Sequence, residues 1–178
     1  MQTDTPRYVE VQHFRQRWLL MVVGMVAGLV TGVFGYGIVQ QIVMGRPWGD
    51  HPLSDTGLLI VAAISILVLG VGLPLVLIFL KLVTEVRRDG IFVALSPIVR
   101  RLIPFREIRS FGAKTYRPIR DYGGWGYRVG RQGSRAFNAM GDRGVEVELR
   151  DGRIVMIGSQ RPEALEQAIR DGMKAAPD

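Results

Sequence analysis

The chain has 178 residues, a formal net charge of +7, 48% hydrophobic side chains and no cysteine. Disulfides and thiolate metal cages are thereby excluded, while the lack of cysteine does not choose a compartment. Charge is absent between Arg17 and Arg46 and between Asp55 and Lys81, then recurs every few residues to the end. That shift divides the chain near residue 82 into a lipid-soluble part and a water-soluble remainder of about 95 residues, enough for one small domain.

Trp18–Met44 is apolar except for Thr31, Tyr36, Gln40 and Gln41, and Thr56–Leu80 is apolar over a similar length. A helix needs about 20 apolar residues to cross the hydrocarbon core, so both stretches are expected to span a membrane. The first is too long for a signal-peptide core and lacks a cleavage site at the usual distance. The expected organisation is therefore an N-terminal segment with a transmembrane hairpin over residues 1–81, followed by a soluble domain over residues 82–178. Arg7, Arg15 and Arg17 precede the first span, and Lys81, Arg87 and Arg88 follow the second. The connecting loop holds only Arg46. The positive-inside rule then puts both termini in the cytoplasm and the protein in the cell's inner membrane.

Within the spans, Gly24, Gly28 and Gly32 share one helix face and permit close approach of another helix. Packing against the second helix of the same hairpin is the favoured reading, and a homodimer seam is the other. Gly70, Gly72 and Pro74 are expected to kink the second helix, because Pro74 removes a backbone bond. The string Thr31–Gly37 (TGVFGYG) resembles a potassium filter only superficially. It lies inside a span, and the loop is too short for a pore helix.

After Leu82 the pattern becomes β. Strands are expected over residues 82–88, 91–95, 109–116, 125–129, 134–140, 144–150 and 153–158. Asp89-Gly90 and Asp151-Gly152 are read as hairpin turns, residues 103–108 as a short turn, and the glycine-rich stretch from Tyr122 as a loop. Pro162 and Glu163 then open a helix whose Leu165, Ala168, Ile169 and Met173 form an apolar stripe.

Several strings in this half resemble a group of bacterial and archaeal membrane-anchored proteins with a pleckstrin-homology-like soluble domain. They are Gly124-Trp125-Gly126-Tyr127-Arg128, Ala136-Phe137-Asn138, Gly144–Leu149, Asp151-Gly152-Arg153, Ile157-Gly158-Ser159 and Pro162–Leu165. The resemblance covers most of residues 82–175. It implies a seven-stranded, bent antiparallel sheet or barrel capped by a C-terminal helix, with Trp125, Arg128 and Asn138 as fold-signature positions. Most such proteins have no established biochemical role. Phe137 departs from the tyrosine expected before the asparagine.

Catalytic chemistry has little support. His13 and His51 are the only histidines, and the expected topology separates them across the membrane. Glu146 and Glu148 share a strand face, which reads as a solvated surface. The glycine-rich loop lacks the third glycine of a dinucleotide fingerprint and leads into a strand, so Trp125 is expected to anchor the core and Arg128 to pair within the domain. No catalytic residue, metal or cofactor is expected. From Arg87 to Arg135 twelve basic residues face three acidic ones. Arg87, Arg88, Arg100 and Arg101, close to the second span in sequence, are the candidate contacts to anionic lipid head groups or a protein partner. Nucleic acid is not expected. The function expected is a non-enzymatic interaction module at the cytoplasmic face. The alternative is an accessory subunit of a membrane complex acting through Gly24, Gly28 and Gly32.

Overall fold

The computed structural model describes residues 5–14, 16–130 and 133–175. The chain forms two compact units. One runs to Phe14 and resumes at Leu80, and the other lies between, Arg15–Phe79.

The inserted unit is a helical hairpin. Its first limb is α1 (Arg17–Ile38), continued by a π-helical turn Val39–Val43. The second comprises α2 (Asp55–Ser65), a π-helical stretch Ile66–Gly72 and α3 (Leu73–Phe79). Both limbs are long and apolar enough to cross a membrane, and only 6% of the most apolar window of each is buried. That exposure separates them from the core helix of a water-soluble fold. Ser54 caps α2 by accepting from the Gly57 N–H, and Gln41 ties the first limb to Leu53 O and Asp55 Oδ1. The expected irregularity before Pro74 takes the form of a π-helix: the Leu73 N–H reaches back to Val68 O, because a proline at position 74 supplies no donor to the regular ladder. Arg15, one of the basic residues before the first limb, lies outside the described residues.

The other unit is an α+β domain with nine strands in two sheets among the described residues, which corrects the expectation of seven strands in one bent antiparallel sheet. The first sheet is an antiparallel meander of β1 (Tyr8–His13), β2 (Lys81–Val86), β3 (Gly90–Ser96) and β4 (Val99–Pro104), in that spatial order. The second has the order β5-β8-β9-β7-β6, from β5 (Ile108–Thr115), β6 (Gly126–Val129), β7 (Arg135–Asn138), β8 (Arg143–Leu149) and β9 (Ile154–Gly158). Its β7 and β9 run parallel, so it is not a meander. A short helix α4 (Pro118–Tyr122) occupies part of the expected glycine-rich loop. It is opened by proline and closed by Gly123 in the left-handed region. Helix α5 (Pro162–Ala175) packs across both sheets, against β2 and β3 of one and β5 and β8 of the other.

The core lies between the sheets. Leu82, Val86, Ile91, Val93 and Ile103 from the first meet Phe137, Val145, Val147, Leu149, Val155 and Ile157 from the second, with Leu165 and Ile169 of α5 closing one side. Each is essentially inaccessible to water, and a fully buried aliphatic or aromatic side chain of this size contributes about 1.5–3 kcal/mol.

The N-terminal strand was not expected in this domain. It pairs along its whole length with β2, His13 opposite Lys81 and Tyr8 opposite Val86. The strand before the first apolar limb and the strand after the second are therefore neighbours in one sheet, and residues 1–81 divide between the two units instead of forming one part.

Candidate functional site

Two polar features distinguish the β-domain. The first is a buried node at the inner face of β1. The alternation of this strand is inverted: Tyr8, Glu10 and Gln12 point inward, while Val9 and Val11 are 45% and 46% exposed. An inward carboxylate is tolerated only where donors satisfy it. Here the Glu10 oxygens accept from Ser159 Oγ at 2.6 Å, the Gln160 backbone N–H at 2.7 Å, Gln12 Nε2 at 3.1 Å and the Tyr8 hydroxyl. Gln12 Nε2 also donates to Gly158 O at 2.8 Å, and Arg161 donates to Val9 O while its guanidinium lies over the Tyr8 ring. Burial, and then the bond to Glu10, push the Tyr8 hydroxyl up to about 12. The node fastens the first strand to the β9–α5 junction.

Beside it, Asn138 is completely buried. Its amide lies next to the Tyr116 hydroxyl, but neither group has a well-formed hydrogen bond from the described chain. Burial pushes Tyr116 up to about 12. A side chain on Gly158 would strike Asn138 Cβ at 2.8 Å and approach the Tyr116 oxygen at 3.1 Å, so the glycine here is required by close packing. Phe137 stacks against Tyr127 with ring centroids 4.9 Å apart, a contact that uses no hydroxyl at position 137. Trp125 is half-buried rather than a core anchor, and its indole N–H donates to Gly141 O. Arg128 turns back to donate to Trp125 O at 2.9 Å, pairing within the domain.

The second feature is a cleft of about 800 Å³ lined by Arg7, Arg88, Asp89, Leu102, Pro104, Phe105, Arg106 and the α5 residues Gly172 and Ala175. Its size falls in the range of ligand-binding clefts. Five chain segments converge to build it: the residue before β1, the β2–β3 turn, the end of β4, the 3₁₀ turn Phe105–Glu107 and the end of α5. Gly172 allows α5 to sit against the Phe105 ring, which a Cβ there would meet at 2.6 Å. The lining is therefore mixed: Leu102, Pro104, Phe105, Gly172 and Ala175 are apolar, and Arg7, Arg88 and Arg106 stand with one acidic residue, Asp89.

The four arginines singled out from the sequence do not form one patch. Arg87 pairs with Glu85 at 2.7 Å and covers the Phe92 ring. Arg88 lines the cleft. Arg87 and Arg88 follow the end of β2 away from Lys81, about 17 Å along a six-residue strand. Arg100 is exposed on the outer face of the first sheet. Arg101 points inward, opposite Val93. Its guanidinium pKa is depressed by burial and by the like charges of Arg135 and Arg153. The cleft arginines Arg7 and Arg106 went unrecognised in the sequence because only the tertiary fold brings them to Arg88. Glu146 is paired with Lys114, and Glu148 with Arg109 and Ser110, on the outer face of the second sheet, as a solvated face requires. No group of three or more potential metal ligands occurs among the described residues.

In the hairpin, a Cβ on Gly24, Gly28 or Gly32 would meet nothing within 4 Å. This corrects the favoured expectation that these glycines pack against the second helix. The close approaches are elsewhere: a Cβ on Gly70 would come within 3.5 Å of Thr31 Oγ1, and one on Gly37 would strike the Trp48 ring at 2.6 Å. Gly28, Gly32, Tyr36 and Trp48 line a shallow groove on the open face.

No curated protein and no solved structure matches the chain. A family model matches residues 4–176, covering the hairpin and nearly all of the β-domain, and the chain therefore belongs to a family of unknown function, DUF6141.

Proposed function

We propose that the protein is a two-span membrane protein that presents a non-enzymatic, pleckstrin-homology-like binding domain in the cytoplasm, and that the basic cleft takes an acidic segment of a protein partner. The observation that carries this reading is the cleft itself: Arg7, Arg88 and Arg106 around an apolar floor of Pro104 and Phe105. Guanidinium forks hold carboxylates bidentately, and an apolar floor adds desolvated contact. A protein partner is favoured over a lipid surface because the cleft is concave and sets apolar Leu102, Pro104 and Phe105 beside its arginines, as a bound peptide segment requires.

The pairing of β1 with β2 supports the topology. Two strands of one sheet lie on one side of a membrane, and a hairpin crossing twice returns the chain to that side. The excess of arginine and lysine flanking the hairpin favours the cytoplasmic side. A four-stranded meander facing a second sheet, with a C-terminal helix across both, supports the pleckstrin-homology-like description. The nine strands and the parallel β7–β9 pair depart from it. Fold alone fixes no ligand.

The test uses the full chain in zwitterionic nanodiscs and a fluorescent glutamate-rich peptide. Binding is expected to weaken with salt and to fall at least tenfold when Arg7, Arg88 and Arg106 are changed to glutamine. Equal binding by the variant would refute the cleft assignment. A cytoplasm-active reporter fused after Asp178 is expected to be active, and activity only on the outer side would reverse the topology.

The open glycine face favours a second reading, an accessory subunit that receives a partner helix along Gly24, Gly28 and Gly32. Gly28→Leu is expected to release such a partner from native membranes, and an unchanged partner set would count against it.

A further inference from the structure

We infer that Arg101, Arg135 and Arg153 form a second anion site, distinct from the cleft, which takes a phosphate-type oxyanion at the open rim of the core between the two sheets. Strand register places Arg101 and Arg135 on inner faces, and Arg153 follows the β8–β9 turn within electrostatic reach of Arg101. Arg101 is opposite Val93 and shares its face with the buried Ile103. Arg135 is opposite the buried Val155 on the core face of the second sheet, while Arg153, just before β9, is exposed at the β8–β9 turn.

Arginine is almost never directed into a core unless paired. Arg153 is held at the β8–β9 turn by Asp151, to which it donates from Nε at 2.6 Å. Arg101 Nη1 is shielded from solvent and has no acceptor among the described residues. Asp151 and Glu107 are the acidic groups near this cluster, and Asp151 is already committed to Arg153. Three cationic forks drawn from two sheets, one with a buried donor left over, present the donor set and charge that a tetrahedral oxyanion requires. A single carboxylate would not engage three forks. Phosphate can arrive free in solution or as a lipid head group, and the chemistry at the three arginines is the same.

The expected signature is a trade of stability for binding. In the absence of an oxyanion, like charges crowd a half-buried guanidinium, so Arg101→Met is expected to melt at or above the wild-type temperature. Inorganic phosphate, at ionic strength matched with chloride, is expected to raise the melting temperature of the full-length protein in zwitterionic nanodiscs by several degrees. That increment should vanish in Arg101→Met and in Arg135→Gln, the latter a partly exposed position where the fold is not at risk. A parallel set in nanodiscs containing phosphatidic acid, without added phosphate, separates the sources. An Arg101-dependent rise there identifies the head group, and a rise only with free phosphate identifies the soluble ion. Equal increments in wild type and both variants, or no phosphate-specific rise in either setting, would overturn the site.

Discussion

The Glu10 carboxylate accepts a hydrogen bond from Ser159 Oγ at 2.6 Å across 149 positions of sequence, joining the first strand of the chain to the start of its last helix. Because Glu10 also takes the Gln160 N–H, Gln12 Nε2 and the Tyr8 hydroxyl, its removal strands several buried donors at once. Each unsatisfied buried donor costs about 1–3 kcal/mol. Glu10→Ala is therefore expected to destabilise the domain by about 3 kcal/mol and Ser159→Ala by about 1 kcal/mol. Thermal melts of the full chain in detergent check the ranking. Proteolysis should cut first near residues 8–14 in Glu10→Ala.

The pairing of His13 with Lys81 makes a second prediction. A fragment beginning at Leu80 lacks a whole strand and its buried node, and is expected to aggregate. Residues 6–13 joined to residue 81 by a short glycine-containing turn should instead give a folded, detergent-free domain, because antiparallel neighbours can be closed by a two-residue hairpin. Dispersed amide resonances from the joined form, and none from the fragment, are the expected readout.

Much of this fold was readable from the residues, and the exceptions have physical causes. The apolar limbs, the strands ending in Asp89-Gly90 and Asp151-Gly152, and the amphipathic α5 follow ordinary periodicity. Strand β1 escapes because its inward face is Tyr8, Glu10 and Gln12, so the valines that look like a core stripe face solvent. Strand β4 escapes because its inward residues include Arg101 and it ends at Pro104, features expected of an edge. Helix α4 did carry a signal, with Pro118 at its start and Gly123 just past its end, hidden among glycines. Of the sequence-selected arginines only Arg88 reaches the cleft. Arg7 and Arg106 join it through tertiary structure that no local pattern encodes.

Alkaline pH should weaken the domain through its buried tyrosines. Tyr8 and Tyr116 are both pushed up to about 12 from the ordinary 10, so the folded chain holds these protons more tightly than the unfolded chain. Their contribution is intact below pH 10 and is lost as pH rises from 10 toward 12, on the order of 2 kcal/mol for each. Denaturant melts between pH 8 and 11.5, paired with tyrosinate absorbance, should show the loss. Tyr116→Phe should flatten the slope.

Glycine substitutions in the hairpin should separate packing from open surface. Gly37→Leu drives a side chain into the Trp48 ring, whereas Gly28→Leu meets open space. In detergent, Gly37→Leu is expected to lower the melting temperature of the hairpin and Gly28→Leu to leave it within about 0.5 kcal/mol of wild type.

The most direct measurement places a photo-crosslinking residue at Leu102, which is 40% exposed in the cleft wall, and irradiates the full-length protein in its native membranes. The account predicts a discrete protein adduct that weakens with salt and disappears when Arg7, Arg88 and Arg106 are changed to glutamine. Adducts to lipid alone, or a protein adduct unchanged by that substitution, would contradict it.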